Sequence, residues 1–105
     1  MVNIFESLQI KAPFLKALND EKYETPTPIQ KKCIPKVLDG FDILGIAQTG
    51  TGKTAAFSIP ILQLLNASQP ENKRRSTRAL ILAPTRELAI QIGSSVRLYG
   101  KYIAF

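Results

Sequence analysis

Ile43-Leu44-Gly45-Ile46-Ala47-Gln48-Thr49-Gly50-Thr51-Gly52-Lys53-Thr54-Ala55-Ala56-Phe57 decides the fold of this chain. An apolar run enters a glycine-rich turn, and a helix is predicted to leave it from Thr54. Gly50 and Gly52 let the backbone approach an anion and turn its N–H groups inward. The helix start adds unpaired N–H groups and the positive end of a dipole. Lys53 offers a cation to β- and γ-phosphates, and the Thr54 hydroxyl is a ligand for Mg²⁺. The stretch from Ala47 to Thr54 therefore reads as a phosphate-binding loop, with Ala47 where the general pattern G-x-x-x-x-G-K-[ST] has glycine.

Around it, 43–47 is continuously apolar rather than alternating, as in a strand covered on both faces. Residues 79–83 (Ala-Leu-Ile-Leu-Ala) repeat that pattern and stop at Pro84. A helix through Ala55, Ala56, Ile59, Leu62 and Leu65 separates the two, with a bend expected at Pro60. Thr85 is the expected N-cap of a further helix, whose Leu88, Ile92, Val96 and Tyr99 share one face and which Gly100 ends. Residues 101–105 look like the start of a third strand. Strands alternating with helices predict a three-layer α/β fold with a parallel sheet. Ligands of such sheets bind beyond the carboxyl ends of the strands, so the glycine-rich loop and 84–87 should share one edge.

Upstream, Phe5 and Leu8 punctuate a polar opening, and residues 12–18 predict a short helix with Pro13 in its first turn. Thr27 and Pro28 read as N-cap and N1 of a helix running to about Leu38. Pro35 should kink or weaken its second half, and Gly40 should close it in a left-handed conformation. Gln30 sits in its first turn, and a side-chain amide there has the donor and acceptor needed to read an adenine edge. Taken alone, it reads sooner as a solvated helix glutamine than as an adenine reader.

The 105 residues allow one small domain, and 14 Lys+Arg against 8 Asp+Glu give a net charge of +6, favouring polyanionic partners. The absence of histidine excludes Ser-His or Cys-His catalysis and His-ligated metal within this chain. Cys33, alone, makes no internal disulfide and is expected buried. No run approaches the ~20 apolar residues of a membrane span, so the chain is expected to be cytoplasmic. The Lys73-Arg74-Arg75 cluster lies in a polar surface loop, where a solvated role outweighs contact with nucleic acid.

Three segments coincide in order: Tyr23-x-x-Pro-Thr-Pro-Ile-Gln30, Ala47-Gln-Thr-Gly-Thr-Gly-Lys-Thr54 and Pro84-Thr-Arg-Glu-Leu-Ala-Ile-Gln91. Together they resemble the Q motif (about 3–30), motif I (47–54) and motif Ia (84–91) of DEAD-box RNA helicases, bacterial members above all. The resemblance spans nearly the whole chain and implies the N-terminal part of a RecA-like P-loop domain. That family's motif I usually begins with alanine, which accounts for Ala47. By resemblance, Ala47, Gln48, Thr49, Gly50, Thr51, Gly52, Lys53 and Thr54 bind ATP, with Lys53 and Thr54 catalytic and Thr54 on Mg²⁺. Gln30 reads adenine, and Tyr23 and Phe5 flank or support the base. Pro84, Thr85, Arg86 and Glu87 form a sequence-independent RNA-backbone site. Lys22 departs from the family, which usually has glycine before the aromatic.

The acids that would orient the attacking water are missing from this sequence. After Thr54 the only carboxylates are Glu71 and Glu87, and no aspartate follows Asp42. The chain is therefore expected to be a fragment that carries the phosphate cradle but does not hydrolyse ATP, with open apolar faces that favour self-association. A different P-loop enzyme, such as a nucleotide kinase, or a non-catalytic nucleotide-binding module are the alternatives.

Overall fold

The structure is a computed structural model that describes residues 4–48, 50, 52–68 and 77–103. Helix α1 (Ala12–Asp20) follows a 3-10 turn over Ile4–Leu8; α2 covers Pro28–Leu38, α3 Lys53–Ala67 and α4 Arg86–Tyr99. Thr49, Thr51 and the Lys73-Arg74-Arg75 cluster lie outside the described residues.

Helix α1 starts where Pro13 fixes the first turn and buries Phe14, Ala17 and Leu18 at i, i+3, i+4 spacing. It ends in a Schellman arrangement: Tyr23 N–H donates to Leu18 C=O at 2.9 Å and Lys22 N–H to Asn19 C=O at 3.0 Å. Lys22 takes φ +62° there. The lysine thus adopts the left-handed conformation that glycine favours, and the helix closes with lysine at that position.

Helix α2 closes in the same way, with Gly40 at φ +89°. Phe41 N–H reaches Lys36 C=O at 3.1 Å and Gly40 N–H reaches Val37 C=O at 3.0 Å. Both α2 and α3 run on through their internal prolines, Pro35 and Pro60. Helix α3 lies between α2 and α4 and buries Ala55, Ala56, Ser58, Ile59, Leu62 and Gln63, more than one stripe. Buried Gln63 also fastens the N-terminal segment, accepting Lys11 N–H at 2.7 Å and donating to Gln9 C=O at 2.9 Å. The core joins Phe5, Leu8, Phe14, Leu18, Ile34, Ile59, Leu62 and Tyr99. Each large apolar side chain so buried contributes about 1.5–3 kcal/mol.

Among the described residues there is no β-ladder, so the expected sheet is not seen. Residues 41–48 and 77–83 have no regular secondary structure, although each is apolar. One face of 43–47 is covered: a Cβ at Gly45 would stand 3.4 Å from Cys33 Sγ and 3.6 Å from Ile29 Cδ1. The other is bare, with Leu44 89% and Ile46 85% exposed; in 77–83, Leu80 and Leu82 are 77% and 84% exposed. A ladder needs a neighbouring strand about 4.8 Å away, and no such strand is present among the described residues. Arg78 instead ties 77–83 to the end of α3, its Nη2 bonding Ser68 C=O at 2.7 Å and Leu65 C=O at 3.2 Å. A guanidinium there satisfies carbonyls the helix leaves open.

The third strand expected over 101–105 is absent as far as the structure describes it. Residues 101–103 turn, Ile103 N–H meeting Gly100 C=O at 3.1 Å. The turn is held by α1: Asp20 accepts a hydrogen bond from the Tyr102 hydroxyl and pairs with Lys101 at 3.1 Å. Lys16 lies 4.3 Å over the Tyr102 ring. Such contacts outcompete an extended conformation that has no strand to pair with.

Candidate nucleotide site

Gly50 and Gly52 both have positive φ, +84° and +82°, and Gly52 is the N-cap of α3. That leaves Lys53 exposed at the first helical position and Thr54 half-buried at the second. The N–H groups of this first turn have no acceptor within the helix and point toward the loop.

The decisive contact comes from α2. The Gln30 amide is 5% exposed. Its Oε1 accepts the Thr27 N–H at 2.9 Å, and its Nε2 donates to the Gly52 carbonyl at 3.1 Å. Gln30 therefore caps its own helix and holds the glycine that starts α3, 22 residues away. These two bonds also fix which end of the amide is oxygen. One Nε2 proton and one Oε1 lone pair remain, the pair that an adenine edge requires. Gly52 must be glycine for this to fit: a Cβ there would lie 2.3 Å from Gln30 Nε2 and 3.2 Å from Thr27 Oγ1. The Thr27 hydroxyl has no hydrogen-bond partner among the described residues.

Gln30, Gly50, Gly52, Lys53 and Thr54 line one open cleft of about 1080 Å³, together with Tyr23 and Phe5. Tyr23 is 44% exposed, whereas Phe5 is 1% exposed and packed into the core. Burial leaves Phe5 no open ring face, so it can back the cleft wall but not stack on a base. Ala47 is half-buried, Gln48 exposed, and neither lines the cleft. The residue types suit a Mg²⁺–nucleotide: a hydroxyl at the second helical position, a free-ended lysine beside it and a left-handed glycine cradle.

Pro84, Thr85, Arg86 and Glu87 are all exposed and stand apart from the cleft lining. Thr85 is the N-cap expected of it, its Oγ1 accepting Leu88 N–H at 3.1 Å. Arg86 and the α4 N-terminus together present positive charge, moderated by Glu87 in the first turn. Helix α4 nevertheless joins the two sites, since Leu88, Gln91, Ile92, Ser95 and Tyr99 line the cleft. Sequence reading missed two members of this site, Thr27 beside Gly52 and Tyr99 beside Tyr23. The first was read as a helix cap, the second as one more apolar position at i+3 from Val96.

The chain is similar to known helicases over most of its length. The model of the DEAD/DEAH box helicase family matches residues 27–105. The chain is 54% identical over 99 residues to the ATP-dependent RNA helicase DeaD of Escherichia coli (strain K12), covering 94% of this chain and 15% of that protein. It is 45% identical over 100 residues to the ATP-dependent RNA helicase DeaD of Mycobacterium tuberculosis, covering 95% of this chain and 17% of that protein. The chain thus spans about a sixth of the length of these curated relatives. Among solved structures, the RNA-helicase Prp28 from Chaetomium thermophilum bound to ADP superposes with a TM-score of 0.87 at 42% identity, covering all of this chain and 25% of that one. A DEAD box protein from Methanococcus jannaschii gives 0.79 at 40% identity, over 90% of this chain and 25% of that one.

Proposed function

Since the chain belongs to the DEAD/DEAH box helicase family, we propose that it forms the ATP-binding part of an ATP-dependent RNA helicase. The observation that carries this reading is the Gln30 amide, bonded at once to Thr27 N–H and the Gly52 carbonyl with its adenine-reading pair left over. Adenine enters beside Gln30, with the Tyr23 ring as its flank and Phe5 as backing. Gly50, Gly52 and the α3 N-terminus cradle the phosphates. Lys53 neutralises the β- and γ-oxygens, and Thr54 is the hydroxyl that would hold Mg²⁺, which would supply charge neutralisation for the phosphates. Arg86 and the Thr85-capped helix end hold RNA phosphates without reading sequence. The bare runs 43–47 and 79–83 are read as strands of a parallel sheet, with no partner strand among the described residues, and their exposed faces favour self-association.

Calorimetric titration with ATP and GTP tests the reading. ATP should bind more tightly than GTP, and Gln30→Ala should erase the difference. Equal affinities in the starting protein, unchanged by that substitution, would overturn the adenine role. No phosphate release above buffer is expected from these residues alone, because Glu71 and Glu87 are the only carboxylates in the sequence after Thr54. Release that disappears on Lys53→Ala would refute that expectation.

A further inference from the structure

Two buried glutamines hold helix starts in this molecule, and Gln30 is one of them, accepting the N–H of the α2 N-cap Thr27. The other is Gln63 of α3, 8% exposed, which does the same for α1. Its Oε1 accepts the N–H of the N-cap Lys11 at 2.7 Å, from 52 residues away. Its Nε2 donates to the Gln9 carbonyl at 2.9 Å. One amide thus clasps the backbone on both sides of Ile10. Gln9 itself stands at φ +67°, a left-handed conformation uncommon for a residue with a side chain. Such a conformation persists where surrounding contacts over-determine it, and the clasp bonds the carbonyl of that same residue.

The clasped backbone continues from the 3-10 turn Ile4–Leu8, whose Phe5 is buried and lines the nucleotide cleft. Phe5, Leu8 and Ile10 pack in the core with Ile59 and Leu62 of α3. That burial draws the segment onto α3 but is non-directional, whereas the two hydrogen bonds set its register. We infer that Gln63 is a positioning residue for ATP: by clasping Gln9 and Lys11 it fixes the N-terminal turn so that Phe5 closes the cleft wall behind the base. The inference rests on the nucleotide reading of the cleft. Where the turn is seated in only a fraction of the molecules, apparent affinity falls by that fraction. By the same linkage, bound ATP favours the clasped state.

Calorimetric ATP titrations compare the starting protein with Gln63→Met, which keeps the length of the side chain and removes both bonds. The variant should bind ATP about threefold to tenfold more weakly, as for a turn seated in a third to a tenth of the molecules. Adding Gln9→Gly to Gln63→Met should bring affinity back to within about twofold, because glycine takes the left-handed conformation without the clasp. A role confined to the stability of α3 predicts no such rescue from 54 residues away. Arg78→Leu, which frees the end of α3 without touching the N-terminal segment, should bind ATP as the starting protein does. Hydrogen exchange at the Lys11 N–H, read by mass spectrometry, should slow when ATP is added to the starting protein and be insensitive to it in Gln63→Met. If Gln63→Met lacks the starting far-UV spectrum, Gln63→Glu carries the same comparison, since it keeps the acceptor for Lys11 N–H and loses only the donor to Gln9. Unchanged ATP affinity on loss of the clasp, or a loss that Gln9→Gly does not recover, would overturn the inference and leave the nucleotide reading intact. Failure of the starting protein to bind ATP at all would overturn both.

Discussion

Gly52 and Gly50 differ by two residues and have nearly the same backbone conformation, φ +82° and +84°. Alanine at either position must enter the left-handed region, which costs about 1–2 kcal/mol. Beyond that the two sites diverge. A Cβ at Gly50 meets nothing within 4 Å, whereas at Gly52 it falls 2.3 Å from Gln30 Nε2 and 3.1 Å from Gln30 Cδ. The Gln30 side chain must then move. It loses its bond to the Gly52 carbonyl, about 1 kcal/mol, and unseats its cap on Thr27 N–H, about 1 kcal/mol more. Gly52→Ala should therefore destabilise by about 3–4 kcal/mol against about 1–2 kcal/mol for Gly50→Ala. In a domain of this size that gap is roughly 10 °C in melting temperature. Thermal and urea unfolding followed by circular dichroism at 222 nm read the stability, and ATP and GTP titrations read the site. Gly52→Ala should also lose its preference for ATP, since Gln30 no longer faces the base, while Gly50→Ala keeps it. Equal destabilisation by the two substitutions, or intact ATP preference in Gly52→Ala, would show that Gln30 does not couple α2 to the loop.

Lys22→Gly should raise stability by up to about 1 kcal/mol, because glycine takes φ +62° without strain, measured as an increase in the urea midpoint. Asp20 titrates below its usual 3.8, held down first by the Tyr102 hydroxyl and then by Lys101, so its contribution is full above pH 3.8 and is lost as pH falls through the depressed value. Lys101 and Tyr102 titrate above 10.5 and 10.0, held up chiefly by Asp20, so their contribution is full below those values and is lost as pH rises through the raised ones. Asp20→Asn should accordingly flatten both the acid and the alkaline limbs of stability against pH, a change visible in melting temperatures taken from pH 2.5 to 11. Leu44→Lys combined with Leu82→Lys, at positions 89% and 84% exposed, should lower self-association measured by light scattering across protein concentration. An unchanged scattering profile would count against the bare faces as the cause.

What the sequence made legible follows the range of each interaction. Helix boundaries rest on contacts within a few residues, and Thr27, Gly40, Thr85 and Gly100 mark them in the structure as they do in the sequence. The Gln30–Gly52 bond spans 22 residues, and only the resemblance hinted that these two segments meet. The Tyr23–Tyr99 pair spans far more of the chain, and helical spacing assigned Tyr99 to the core without naming the ring it would meet.

The sheet shows the same limit from the opposite side. A continuous apolar run reports how much burial a segment is selected for, not which segment supplies it. Gly45 faces α2, while Leu44 and Ile46 carry the same apolar signal into open space. Leu80 and Leu82 do likewise. Both runs therefore encode two covered faces and two paired edges, yet the described residues cover one face of 43–47 and pair neither run. Arg78 fastens one run to the end of α3, and Ile29 with Cys33 covers one side of the other. Those contacts hold the bare segments beside the cleft without any ladder. The Gly52 end of the loop is accordingly held by the α3 cap and Gln30, with no ladder among the described residues.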